Sequence, residues 1–246
     1  MQNIENKTAL ITGGSKGIGY GIAEALLAKG VNVAITSRSQ ESADKAAESL
    51  AKNAKGEVLG LQADVRSFEN QQTCVNAVLD KWGKLDIVIA NAGLGHFAPI
   101  DEMEIDKWNE VIDTNLTGVF YTIKSSVEAL KKNGGYFFTI SSLAGTNFFP
   151  AGSAYNASKF GLTGFTQSVM LDLRQHGINV STIMPGSVAT YFNDHQPNED
   201  DYWKIQKEDL GQMVVDLLEM NPRTLPSKIE VNQVDHHKRN NLIYIR

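Results

Sequence analysis

The chain has 246 residues, 42% of them apolar, and a formal charge of −5, enough to bury a full core in one domain of the doubly wound kind. The mildly acidic balance, without a basic stripe or a nucleic-acid motif, excludes a polyanion partner beyond a cofactor. No apolar run approaches the roughly 18 residues of a membrane span, and no charged segment followed by a long apolar run opens the chain, so the cytoplasm is the expected compartment.

In chain order, residues 7–12 read as a short apolar strand, followed by Gly13-Gly14-Ser15-Lys16-Gly17-Ile18-Gly19 and then by Ile22, Ala23, Leu26 and Leu27 at helical spacing. This is strand, glycine turn, helix. Glycines let the turn stay tight and bring the backbone close to a pyrophosphate, while the first free N–H groups of the helix face it. The next strand, residues 31–36, runs into Ser37-Arg38-Ser39, where such folds meet an adenosine ribose. An acidic residue there would bind a 2′-hydroxyl and repel a 2′-phosphate; Ser37 and Arg38 do the opposite, and Lys16 adds a second cation, so NADP(H) is expected over NAD(H).

Residues 57–65 and 85–93 contain two more strands that lead into polar or glycine turns, ending Asp64-Val65 and Asn91-Ala92-Gly93, with helical stretches between them. Either Asp64 or Ser67 can cap the helix that follows. Cys74 in that helix is the single cysteine, cannot form an internal disulfide, and is expected to pack. The repeated β-α order demands a parallel sheet covered by helices on both faces, with ligands beyond the carboxyl ends of the strands.

Long helices are expected around residues 103–131 and 154–175. Between them residues 135–140 form an apolar run that ends just before Ser142. Tyr155 and Lys159 stand one helical turn apart and so share a face. A hydroxyl, a phenol and an ammonium can thus converge. A free phenol titrates near 10 and is a poor base, but each unit of depression needs only about 1.4 kcal/mol, which an ammonium and an oxidised nicotinamide could supply in a sheltered site. Tyr155 is then a plausible general acid/base.

Taken together, Thr12 to Gly19 as T-G-x-x-x-G-x-G, N-A-G at Asn91 to Gly93, Asn115, Ser142, Tyr155, Lys159 and P-G-x-x-x-T at Pro185 to Thr190 resemble the short-chain dehydrogenase/reductase family over about residues 5–233. The resemblance implies a single NAD(P)-binding Rossmann domain over residues 1–246, a doubly wound parallel sheet of about seven strands. By position it makes Tyr155 the proton donor in carbonyl reduction, Ser142 the holder of the substrate oxygen, Lys159 the partner of the nicotinamide ribose, and Asn115 the anchor of a proton-returning water chain. Gly13, Ser15, Lys16, Gly17, Ile18, Gly19, Ser37 and Arg38 would hold the phosphates and ribose. Asp64 and Val65 would meet the adenine, Asn91, Ala92 and Gly93 the adenosine ribose side, and Pro185, Gly186, Val188 and Thr190 the nicotinamide end. Within the family the chain is similar to 3-oxoacyl-carrier-protein reductases and sepiapterin-type reductases.

The substrate is written less clearly. Leu94, His96, Phe97, residues 143–150 with Phe148 and Phe149, and Tyr191 and Phe192 suggest an apolar, aromatic lining suited to an uncharged or partly aliphatic ketone. A loop histidine such as His96 is more often solvated than engaged. A lid is expected over residues 187–209, its stretch from 193 on rich in acids and amides; a short lid would admit bulky substrates, including a carrier-bound acyl chain. Residues 228–234 read as a last strand. The tail over residues 235–246 is polar and basic, which departs from the family's commonest ending and leaves a homodimer or a homotetramer open; its adjacent His236 and His237 are not expected to hold a metal. Two weaker readings remain: a cofactor-binding sensor or scaffold without turnover, and an epimerase or dehydratase using the same tyrosine and lysine.

Overall fold

Short runs without a single polar break, such as Ala-Leu-Ile and Ile-Val-Ile-Ala, mark strands buried on both faces, and the computed structural model, which describes residues 2–234, places them at the centre of the sheet. The strands are β1 (Thr8–Ile11), β2 (Asn32–Ser37), β3 (Val58–Gln62), β4 (Ile87–Ala90), β5 (Gly135–Ile140), β6 (Ile178–Pro185) and β7 (Lys228–Val231). All seven are parallel, in the order β3-β2-β1-β4-β5-β6-β7. The order reverses between β1 and β4, and a crevice opens there beyond the strand ends. The last strand stops at Val231, three residues short of the sequence expectation, and the tail with His236 and His237 lies outside the described residues.

The helices are α1 (Gly17–Ala28), α2 (Gln40–Ala51), α3 (Phe68–Trp82), α4 (Ile105–Ile112), α5 (Gly118–Asn133), α6 (Ser153–Leu173) and α7 (Lys207–Glu219). Strand alternation sends Ile11, Ile35 and Ile89 to one face, where Ile22, Leu26, Leu50, Leu210 and Val214 of α1, α2 and α7 cover them. Leu10, Ala34, Val88 and Phe137 face the other way, against Cys74, Val78, Val119, Ile123 and Leu162 of α3, α5 and α6. Helices α1 and α7 touch backbone to backbone at Gly21 and Gly211: a Cβ on either would come within 2.5 Å of a main-chain oxygen of the other helix. Cys74 is a packing residue, and burial pushes its thiol up to about 11.

The stretch expected as one long helix over residues 103–131 is interrupted. Between α4 and α5 the chain makes a π-helical turn, Asp113–Thr117, with the Gly118 N–H donating to the Asp113 carbonyl. Such a bulge hides from periodicity analysis, because one extra residue leaves the apolar pattern of each flanking helix intact. It matters because Asn115 sits in it.

Candidate active site

The glycine turn is held from below. Asn91, the first residue after β4, donates its amide to the carbonyls of Thr12 and Gly13 at 2.9 and 3.0 Å, and the Thr12 hydroxyl accepts from the Asn91 and Ala92 N–H groups at 3.0 and 3.1 Å. Gly13 and Gly17 adopt φ of +64° and +59°, and a Cβ on Gly19 would lie 2.5 Å from the Asn91 amide nitrogen. Side chains are thus barred at Gly13, Gly17 and Gly19 for conformational or steric reasons. The first N–H groups of α1 lack helical partners by construction and give the turn an anion-facing end. Gly13, Ser15, Lys16, Gly17 and Ile18 line a cleft of about 470 Å³ together with Ser37, Arg38, Asp64, Val65, Asn91, Ala92 and Gly93. That cleft runs from the end of β2 to the end of β4.

Arg38 is exposed and its guanidinium makes no hydrogen bond or ion pair with the described residues. Asp64 is not free: its carboxylate takes the Arg66 guanidinium at 2.6 Å, which holds it below the usual carboxylate range. The cap of α3 is Ser67, whose hydroxyl accepts from the Asn70 N–H at 3.2 Å. His96 is also engaged, contrary to the expectation of a solvated loop residue. Its Nε2 lies 2.8 Å from the Glu110 carboxylate on α4, because the loop after β4 folds back over that helix.

The second cleft, about 340 Å³, adjoins the first and is lined by Ile18, Asn91 and Gly93, by Ser142, Tyr155 and Lys159, and by Pro185, Gly186, Val188 and Thr190 after β6. Ser142 leaves β5 in extended conformation and caps a short 3-10 turn, its hydroxyl accepting from the Ala144 N–H at 3.1 Å. The same hydroxyl shares the cleft with the Tyr155 phenol and acts to lower its titration. On α6 one turn further on, the Lys159 ammonium donates to the Ile140 carbonyl at 2.9 Å and lies 5.6 Å from the Tyr155 ring centroid. The hydroxyl, phenol and ammonium converge as their spacing implies.

Burial dominates the titration of the phenol and the ammonium in the protein alone. It pushes the Tyr155 phenol up to about 12 against the opposing effect of the Ser142 hydroxyl, and brings the Lys159 ammonium down to about 8. The cation does not outweigh desolvation in the protein alone, so the phenol stays protonated. Asn115, fully buried, uses both amide protons, to the Leu94 carbonyl at 2.8 Å and the Ser158 hydroxyl at 3.0 Å, and accepts from the Leu94 N–H at 2.9 Å. Its side chain thereby fastens the loop after β4 to α6, and no amide proton remains for a water chain.

The expected aromatic lining is present in part. Phe97 and Phe192 pack on the Tyr155 ring with centroids 5.4 and 5.6 Å away, and Phe149 stands 6.0 Å from Phe97. Phe148 turns outward, 79% exposed. Two cleft residues, His195 and Lys204, had no periodic or motif signal, since both come from the irregular segment between β6 and α7. That segment is pinned: Val188 and Ile205 form a parallel bridge, and buried Asp201 takes Lys204 and His195 at 2.6 Å each.

A parallel sheet whose strand order reverses at a glycine-rich turn, with a Tyr–Lys pair at its carboxyl edge, defines a dinucleotide-binding α/β fold. The model of the short chain dehydrogenase family matches residues 7–201, and the chain belongs to that family of oxidoreductases. The 3-oxoacyl-acyl-carrier-protein reductase of Synechocystis sp. is 35% identical over 192 residues, 77% of each chain. The trans-4-hydroxycyclohexanecarboxylate dehydrogenase of Sinomonas cyclohexanicum is 34% identical over 194 residues, 76% of this chain and 74% of that one. Among solved structures, the alcohol dehydrogenase of the archaeon Thermococcus sibiricus complexed with 5-hydroxy-NADP superposes with a TM-score of 0.88 at 29% identity, over 94% of this chain and 97% of that one. Among the described residues no helix is long and apolar enough to cross a membrane, and no cluster of three or more candidate ligands could hold a metal.

Proposed function

We propose that this chain is an NADP(H)-dependent reductase that converts a ketone to a secondary alcohol, with Tyr155 as general acid/base. The observation that carries the reading is the gathering of the Ser142 hydroxyl, the Tyr155 phenol and the buried Lys159 ammonium on one cleft, with the ammonium 5.6 Å from the Tyr155 ring centroid. The residues fit the cofactor. Gly13, Gly17 and Gly19 clear a backbone cradle for a pyrophosphate, and the exposed, unpaired Arg38 with Ser37 suits a 2′-phosphate. Lys159 and Thr190 stand at the nicotinamide end. Bound there, NADPH supplies the hydride.

The protein's own part is to hold the substrate carbonyl oxygen between the Ser142 and Tyr155 hydroxyls and to deliver the phenolic proton to it as negative charge develops. A phenol pushed up to about 12 is held in the protonated form from which carbonyl reduction starts, and a bound cation that lowers its pKa makes it the stronger acid. The named activities of the curated relatives support a 3-oxoacyl thioester or a cyclic secondary alcohol as the substrate type, carrier-bound acyl chains included. The protein would self-associate through α5 and α6, where Phe120, Phe160 and Leu171 are 44, 43 and 54% exposed. Sedimentation showing a monomer at micromolar concentration would count against that.

The test of the function is oxidation of NADPH, with NADH in parallel, against 3-oxoacyl thioesters, diketones, quinones, pterins and steroid ketones. Turnover of one class establishes the enzyme and its substrate group. Tight NADPH binding with silence throughout would promote the sensor reading instead.

A further inference from the structure

The segment between β6 and α7 sorts its charges. Glu199 and Asp200 are exposed to solvent, whereas His195 and Lys204 line the same cleft as Ser142 and Tyr155. Between the two side chains lies Asp201, its side chain 7% exposed, with Oδ1 on the Lys204 ammonium and Oδ2 on His195 Nε2, each at 2.6 Å. The Asn198 N–H adds a third donor at 3.2 Å, so this carboxylate is ionised and spent on its neighbours. The Lys204 ammonium alone balances its charge; His195 adds a second ring-nitrogen contact, and both side chains sit on the cleft side.

Donors are left over. The Lys204 ammonium has three protons, of which the carboxylate takes one, and His195 Nε2, 3.4 Å away, is itself a donor to the same ionised carboxylate and takes none. At least one therefore remains for the cleft, and the second imidazole nitrogen of His195 is uncommitted among the described residues. The Lys204 side chain is 19% exposed, partly out of bulk water, where a charge-assisted bond is worth more than at an open surface. Apolar Val188 and Phe192 and uncharged Ser187 and Thr190 make up the rest of this wall. A neutral apolar group placed there would desolvate the leftover proton of that ammonium without giving it an acceptor.

We propose that Lys204 and His195, aimed by Asp201, form an anion subsite that selects ketones bearing an oxyanion group, a carboxylate on the ketone itself or a phosphate on its carrier arm. This rests on the carbonyl-reduction reading and departs from the uncharged substrate that the aromatic loops suggested. Lys204 and His195 would be specificity-determining, and Asp201 a positioning residue.

The test is discrimination within two matched pairs: 4-acetylbenzoate against its methyl ester, and a 3-oxobutyryl thioester of phosphopantetheine against that of pantetheine. In the parent protein the anionic member of one pair is expected to have the higher kcat/KM. Lys204→Gln should lower that preference by about tenfold or more, and Lys204→Arg should restore most of it. His195→Gln should lower it by a smaller factor. The pair that responds tells carboxylate from phosphate. Calorimetry of 4-acetylbenzoate and of phosphopantetheine binding to the NADP-loaded protein runs alongside. Absence of turnover on all four compounds counts against carbonyl reduction, while anion binding that Lys204→Gln weakens still supports the subsite. Preference and anion binding both unaltered in Lys204→Gln would overturn it, as would a loss of NADPH affinity that accounts for the whole effect, because Lys204 would then serve the cofactor.

Discussion

The two walls of the catalytic cleft are built on opposite plans. The wall of Ser142, Tyr155 and Lys159 stands on β5 and α6, and its polar groups are neutral or desolvated: a phenol pushed up to about 12 and an ammonium brought down to about 8. The facing wall, between β6 and α7, has short 3-10 turns and a bridge at Val188 and Ile205, and holds itself by the ion pairs of Asp201. Chemistry needs atoms that do not move, so it rests on regular elements whose positions the core over-determines. Recognition tolerates irregular backbone, and there the chain uses charge pairing to make a loop hold still.

If that contrast is right, the largest effect belongs to the first wall. Tyr155→Phe should lower kcat by between about a hundredfold and ten-thousandfold, the usual span of a general acid, with NADPH affinity altered by less than about threefold in a fluorescence titration. A parent-like rate would remove the general-acid assignment. Next comes cofactor choice. Arg38→Asp should shift the ratio of kcat/KM for NADPH over NADH by about 10 to 100-fold toward NADH, as expected for losing a charge-assisted contact and gaining a repulsive one. Unchanged constants for both cofactors would make Arg38 a solvated surface residue.

Two stability measurements sharpen the comparison further. The Asp201 carboxyl is held down to about 2, chiefly by the Lys204 hydrogen bond, from an ordinary value of 3.8. Its folded value is depressed, so its contribution is present above pH 4 and is lost as the pH falls toward 2; Asp201→Asn should cost about 2 kcal/mol at pH 7 in urea unfolding, and much less at pH 2. Lys159 works the other way. Burial of the charge is unfavourable, and its folded value of about 8 lies below the ordinary 10.5, so the penalty is fully present below pH 8 and fades as the pH rises from there toward 10.5. Lys159→Met, which keeps the stem but also loses the hydrogen bond to Ile140, should gain about 1 kcal/mol at pH 7 and less at pH 10 while losing activity. A destabilised Lys159→Met would mean that the first wall is held together by its ammonium after all.

Much of the scaffold was legible because it depends on local rules. Apolar runs alternating with helical spacing imply the β-α order, and the glycines before α1 imply the turn, since only a residue without a Cβ fits where Asn91 presses on Gly19. Strand ends were less legible: β3 is confined to Val58–Gln62 within a longer apolar stretch because its length is set by pairing with β2. The π turn at Asn115, the pairing of His96 with Glu110 and the outward turn of Phe148 left no trace in periodicity. Each is the outcome of packing between segments far apart in the chain.

By itself, the sequence determined the parallel sheet, the position of the glycine turn, and the placing of Ser142, Tyr155 and Lys159 on one side of one cleft, because turn chemistry, strand burial and helical spacing act over a few residues. Only the tertiary structure decided the charge states of that trio and brought His195 and Lys204 opposite them. Desolvation depends on everything that packs around a group, and an irregular segment takes its course from the surfaces it lies on.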